Sequence, residues 1–264
     1  MIQVESIKNF FPLQVRDNAI FYKYMVKEYI QLMILDHLSA TPYIRKITFI
    51  GGTSIRLIKG IDRFSEDLDF DCKEFSENEF MEMTNGILRF LQRSGLRVIS
   101  KDKNNEKLEA FRRNIFFPEL LFDLGLSGHR EERFLIKVES QDQLVNYKSE
   151  IVNIKGCGFF FPMPVPPDGV LCAMKVSAML NRQKGRDFYD AMFLLSQILP
   201  DFAFMAIRSG ISDLEALKHK ANDVIRNVDM NMKIRDFEHL LFNKSNSTKI
   251  LRAGDFFKEL EINQ

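Results

Sequence analysis

The chain has 264 residues, 45% of them hydrophobic and 28% charged, which suits one large globular domain or two modest ones. A formal net charge of +1 provides no whole-chain basic excess of the kind a nucleic-acid binder carries, although it leaves a local basic patch open. Cys72, Cys157 and Cys172 have neither paired nor metal-ligand spacing, and with only four histidines beside them they argue against a zinc site and for reduced thiols.

In chain order, Met1 to Ser6 lacks a basic segment followed by an apolar run, so no signal peptide is expected. No stretch approaches ~18 uninterrupted apolar residues, so no membrane span and a cytoplasmic protein are expected. From about Asp17 to Ser39, apolar residues recur at helical spacing: Ile20, Tyr24, Met25, Tyr29, Leu32, Met33 and Leu35. After a turn at Thr41-Pro42, Lys46 to Ile50 reads as a short buried strand. Gly51-Gly52 breaks it, and Thr53 to Lys59 reads as a short helix. Leu68 to Lys73 alternates apolar and acidic residues, the period of a half-buried strand.

Asn78 to Ser94 is a second amphipathic helix. Leu96 to Ser100 and Glu119 to Leu126 read as strands, with Lys101 to Glu106 as a polar loop or hairpin between them. Arg133 to Glu139 alternates again. Gly156, Gly158, Pro162, Pro164, Pro166 and Pro167 crowd residues 156 to 167, which therefore read as a linker or crossover. Beyond Asp168 the periodicity is helical: Asp168 to Asn181, Asp187 to Leu199, then further segments to Phe257. The expected fold is α+β: a mixed sheet with flanking helices in residues 1–155, then a helical domain in 156–264. The 25 phenylalanines, with no tryptophan, read as core filling rather than a base-stacking platform.

The chemistry concentrates in two nearby pieces, Phe49 to Arg56 and Arg63 to Asp71. On a strand, residues two apart share a face, so Asp67, Asp69 and Asp71 lie together while Leu68 and Phe70 point inward. Like charges on one face repel unless a cation compensates, and hard divalent ions such as Mg²⁺ are held by carboxylates plus substrate phosphates. A solvent-facing acidic edge is the plainer alternative, though Asp is a poor strand former. Upstream, Gly51, Gly52, Thr53 and Ser54 form either a phosphate-approaching turn or a tight turn with a hydroxyl cap. No Gly-x-x-x-x-Gly-Lys loop and no Gly-x-Ser-x-Gly elbow occurs, which excludes a P-loop enzyme and that class of hydrolase.

Together, the Gly-Gly turn and the Asp67-x-Asp69 strand resemble the polymerase-β-like nucleotidyltransferase superfamily. More narrowly, Gly51 to Arg56 followed by Arg63 to Phe70 looks like the AbiEii and MenT-type toxins of type IV toxin–antitoxin and abortive-infection systems. A distal match, Lys175 to Asp190, supports this: a helix lysine, then Arg186-Asp187-x-Tyr189-Asp190 after a short break. The resemblance covers roughly residues 17 to 195.

The resemblance implies transfer of a nucleoside monophosphate from an NTP to an acceptor hydroxyl, on a tRNA 3′ end or on protein, with Mg²⁺ or Mn²⁺ and a cognate antitoxin. A non-catalytic nucleotide-binding module retaining the fold is the alternative, and retention of both aspartates and the lysine weighs against it. Asp67 and Asp69 are implied metal ligands, with Glu139 or, competing, Asp123 as a third carboxylate. Asp71 lies outside the pair and is expected at the surface. Lys175 is implied on the NTP phosphates, assisted by Arg182 seven residues on along the same helix face, and Asp190 is the functional carboxylate of its segment. Asp187 is either a helix cap, boxed with Asp190, or part of the active-site wall; Arg186 is a partner for one of the two. Gly51, Gly52, Thr53, Ser54, Arg63 and Ser65 are implied around the substrate, with Arg63 either on phosphate or orienting the acidic cluster. Arg56 is either such a contact or a surface cation.

Overall fold

Apolar side chains recurring every three to four residues build the first long helix, and the chain reaches it through shorter turns. The structure, a computed structural model, describes residues 2–100 and 110–261; the loop expected at Lys101 to Glu106 lies outside them. By their contacts, the residues divide into two compact units: Met1–Gly60, Phe64–Gln143 and Ser149–Val165 in the first, and Ile61–Arg63, Leu144–Lys148 and Pro166–Gln264 in the second.

The first unit begins with α1 (Val4–Lys8), α2 (Leu13–Arg16) and the 18-residue α3 (Tyr22–Ser39), which buries Met25, Val26, Ile30, Leu32, Ile34 and Leu35. β1 (Ile47–Ile50) leads into α4 (Gly51–Ser54), a π-helical turn over Ile55–Lys59, and Gly60 in the left-handed region at φ 71°. β2 (Asp67–Cys72) follows, then α5 (Glu77–Arg93), whose start is fixed by a reciprocal capping box between Ser76 and Glu79. The Lys46 ammonium and the Ser76 hydrogen bonds hold the part-exposed Glu79 carboxyl down at about 2. Next come β3 (Ile99–Ser100), β4 (Phe111–Phe116), α6 (Leu120–Asp123), β5 (Leu135–Gln141), β6 (Glu150–Gly156) and β7 (Phe159–Val165).

β1 to β5 form one sheet in the order β1-β2-β5-β4-β3, parallel between β2 and β5 and antiparallel elsewhere. Alternation gives it two unlike faces. One carries Phe49, Leu68, Phe70, Ile115, Ile136 and Val138, all buried. The other carries Asp67, Asp69, Lys137, Glu139 and Arg112 in register. α5 packs on β4 and α3, and β7 packs on α3 and β1. Of the aromatic residues, Phe49, Phe64, Phe70, Phe80, Phe117, Phe188, Phe237 and Phe257 are fully buried, the core filling expected of them.

Two stretches fold otherwise than their sequence pattern suggests. Glu119 to Leu126 is not a strand: Glu119 turns the chain at φ 59° and α6 follows. A short apolar run does not distinguish a strand from a helical turn. Residues 156–167 are not a linker through their length: Gly156 ends β6, Cys157 and Gly158 turn, and Phe159–Val165 is the second strand of a hairpin. Pro162 and Pro164 sit opposite Asn153 and Ile151 in this two-stranded sheet, where each strand has an edge that needs no donor.

The second unit is helical: α7 (Asp168–Arg182), α8 (Gly185–Leu195), α9 (Phe202–Ser209), α10 (Leu214–Arg226), α11 (Met230–Arg235) and α12 (Ala253–Glu259). α7 packs on α8 and α9, and α10 on α12. Asp201, Asp213 and Asp229 cap α9, α10 and α11 by accepting from backbone N–H groups of the first turn. Among the described residues, no helix is long and apolar enough to cross a membrane.

Candidate active site

In the first unit the acidic strand is held from both sides. Leu68 and Phe70 anchor β2 in the core, so Asp67 and Asp69 must turn to the polar face, each part-exposed. β1 ends at Ile50, opposite Asp69. Gly51 then turns at φ 83°, and a Cβ there would lie 2.1 Å from Asp69 Oδ2. Only glycine allows the turn to lie against this carboxylate. Gly52 is buried in the same turn. The buried Thr53 donates its hydroxyl to the carbonyl of Asp67, tying the turn to the start of the acidic strand. Ser54 is fully buried, and its hydroxyl has no hydrogen-bond partner among the described residues.

β5 lies parallel to β2 and places Lys137 beside Asp67 and Glu139 beside Asp69. The Lys137 ammonium is 2.8 Å from Asp67 Oδ2 and 3.6 Å from Glu139 Oε2, while the Arg112 guanidinium donates to Glu139 from β4. Glu139 is thus on the acidic face but held by two cations. Asp123 is off the sheet altogether, in α6, where it pairs with Arg97 at 2.8 Å. Asp71, expected at the surface, is buried: it accepts from the Gln143 N–H at 2.8 Å as the chain leaves β5. Alternation assigned the correct face but could not show the loop that covers it.

Other flanking residues serve as braces. Arg56 engages the buried Glu28 through Nε and Nη2, at 2.9 and 3.2 Å. The carbonyl of the buried Ser65 accepts from Gln31 Nε2 at 3.2 Å.

The second unit contains a buried charge cluster. Asp190, on α8 and fully buried, accepts from Arg63 Nε at 2.7 Å, Arg63 Nη2 at 2.6 Å and Lys175 Nζ at 3.1 Å. Burial alone would push the Asp190 carboxyl up; the charges and hydrogen bonds of Arg63 and Lys175 outweigh it and hold it below the usual carboxylate range. Burial would likewise lower Arg63, but Asp190 keeps the guanidinium charged. Lys175 retains about a tenth of its side-chain exposure, so it is the member of the trio that reaches solvent.

Next to Arg63, Asp62 accepts from Tyr189 Oη and Asn246 Nδ2, each at 2.6 Å. Burial first, then that bond, push the Tyr189 phenol up. Arg182 turns back to Asp187 at 2.7 Å rather than lying free beside Lys175. Asp187 also accepts from the Lys184 backbone N–H at 3.4 Å, so the capping pair is Lys184 with Asp187, and Asp190 lies inside the helix. Asp187 and Asp190 therefore find their cations in Arg182, Arg63 and Lys175 rather than in Arg186. Gly185 opens α8 where a Cβ would meet the Lys233 carbonyl at 1.9 Å.

The residues suit one hard divalent ion better than a cage. Asp67 and Asp69 are two carboxylates on one face, adequate for an ion that also binds substrate phosphates. Among the described residues no three His, Cys, Asp or Glu side chains converge on a metal position. Lys137, Arg112 and Asp62 were not singled out in the sequence. Register across a parallel pair would have identified Lys137, since it alternates with Glu139 as Asp67 does with Asp69.

With this geometry in view, the model of the AbiEii family, nucleotidyl transferase toxins of type IV toxin–antitoxin systems, matches residues 33–254. The chain belongs to that family. Its fold is shared with MenT4, a nucleotidyltransferase toxin from Mycobacterium tuberculosis H37Rv, at a TM-score of 0.63 and 17% identity, covering 100% of this chain and 92% of the other. It is also shared with JHP933 from Helicobacter pylori, at 0.54 and 19%, covering 90% and 91%. Identities this low show the fold alone. No curated protein sequence matches the chain.

Proposed function

We propose that this chain transfers a nucleoside monophosphate from an NTP to an acceptor hydroxyl, as the toxin of a two-component system with a cognate antitoxin. The observation that carries the reading is the pairing of Asp67 and Asp69 on one sheet face with a glycine turn laid against Asp69. Asp67 and Asp69 would hold Mg²⁺ or Mn²⁺. When bound, that ion neutralises phosphate charge and polarises the phosphoryl group under attack.

The chain's own groups do the remaining work. The backbone of Gly51 and Gly52 approaches the triphosphate without a side chain in the way. Lys175 is a point charge for the phosphates and for the charge that develops as pyrophosphate leaves. Asp190 holds Lys175, Arg63 in turn fixes Asp190, and both are positioning residues. Arg182 and Asp187 close the turn between α7 and α8 that sets their separation. Positioning and charge neutralisation are the main levers of such a transfer.

The acceptor hydroxyl belongs to a tRNA 3′ end or to a protein, and one assay distinguishes them. Purified chain with Mg²⁺ and each α-labelled NTP is offered deproteinised RNA and, separately, RNase-treated protein. Label in the first places the acceptor on RNA; label in the second places it on protein. Label in neither, with all four nucleotides, would favour a non-catalytic nucleotide-binding module instead.

A further inference from the structure

We propose that Lys137 is the built-in second cation of the acidic face, so that Asp67 and Asp69 hold one divalent ion where three free carboxylates would hold two. The inference rests on reading those aspartates as metal ligands. The parallel register of β2 and β5 sets Lys137 beside Asp67 and Glu139 beside Asp69, one residue apart along the face. The Lys137 ammonium sits between the strands, 2.8 Å from Asp67 and 3.6 Å from Glu139. From β4, Arg112, the register partner of Glu139, donates to the same carboxylate.

Ile136 and Val138, both fully buried, pin the strand on either side of Lys137, so the ammonium is held by the sheet rather than by a mobile loop. Lys137 is itself about a quarter exposed, so it meets the same solvent an arriving ion would come from. Asp67, Asp69 and Glu139 bring three negative charges to the face, and Lys137 and Arg112 already set two positive ones against Asp67 and Glu139. Asp71 does not alter this: it is buried, near Lys73 at 3.8 Å. Each divalent ion adds two further positive charges beside the Lys137 ammonium, so a second ion on this small face meets a repulsion that the first does not. Glu139, engaged by both cations, is not available as a third ligand in the way its place opposite Asp69 suggests.

Mn²⁺ titration of the nucleotide-free full chain, with the free ion counted by electron paramagnetic resonance, tests this without reference to activity. Wild type should bind one ion per chain. Lys137→Met should bind a second ion, or the first at least about tenfold more tightly, because a repelling charge beside the ligands is gone. Lys137→Arg, which keeps the charge, should titrate as wild type does. Lys137→Gln repeats the charge removal should the Met variant fail to fold by circular dichroism. Two ions on wild type, or a Met variant indistinguishable from it, would overturn the inference. The Asp67→Asn/Asp69→Asn double variant separates the two levels. If it loses the ion while Lys137→Met changes nothing, the aspartates remain ligands and only the role of Lys137 fails; if it keeps the ion, both readings fail.

Discussion

Arg63 presents Nε and Nη2 to the two oxygens of Asp190, at 2.7 and 2.6 Å, across 127 residues of sequence. Lys175 shares the second oxygen at 3.1 Å. Asp190→Asn leaves two cations against one another in a buried place. Breaking such a cluster destabilises by about 3–5 kcal/mol, read from the urea midpoint at pH 7. The folded Asp190 carboxyl lies below its unfolded value of about 3.9, so its stabilisation is complete above that pH and fades as pH falls below it. The gap between wild type and Asp190→Asn should therefore narrow in urea titrations near pH 3. A gap that stays constant with pH would assign the stability to packing instead.

Gly51→Ala places a methyl group 2.1 Å from Asp69 Oδ2, on a backbone at φ 83°. The turn or the carboxylate must move. The left-handed conformation alone costs about 1–2 kcal/mol with a side chain. Melting temperature should fall, and nucleotidyl transfer should fall by about a hundredfold, since an ångström of displacement is enough for that loss. Transfer at the wild-type rate would remove the turn from the site.

Gly185→Ala tests the second unit in the same way. Its Cβ would meet the Lys233 carbonyl oxygen at 1.9 Å and Phe237 at 2.8 Å, and backbone cannot swing aside as a side chain can. The start of α8 should shift, with a loss of about 1–3 kcal/mol in urea denaturation. An unchanged midpoint would mean that α8 begins elsewhere.

Strong periodicity made several features legible. Apolar spacing around Tyr24 to Leu35 gave α3, and the Leu68 and Phe70 alternation gave β2 with both aspartates on one face. The distal lysine and aspartate were readable only because their order resembles a family. Unreadable were the partners. Arg63 and Asp190 lie too far apart in sequence for spacing to join them, and Lys137 needed the register of two parallel strands. Prolines 162 and 164 concealed a strand because proline argues against one except where an edge is free. Burial of Asp71 depends on a loop after β5 that no local pattern announces.

The three thiols are predicted to be silent in the folded chain. Burial pushes Cys157 and Cys172 up to about 12 and also raises Cys72. A raised value means little thiolate at pH 8, and the thiolate is what reacts. Ellman's reagent should find almost no fast thiol in the native chain and all three after guanidinium. A fast native thiol would show that one of these pockets opens to solvent.

The central claim is that the carboxylates on β2 carry the reaction, and Asp69→Asn tests it most directly. Single-turnover transfer from an α-labelled NTP is measured for wild type and for the variant, with melting temperature recorded beside it. The expected result is a fall in rate of at least about a hundredfold with the fold intact, as for loss of a principal electrostatic group. Transfer by folded Asp69→Asn at the wild-type rate would contradict the account.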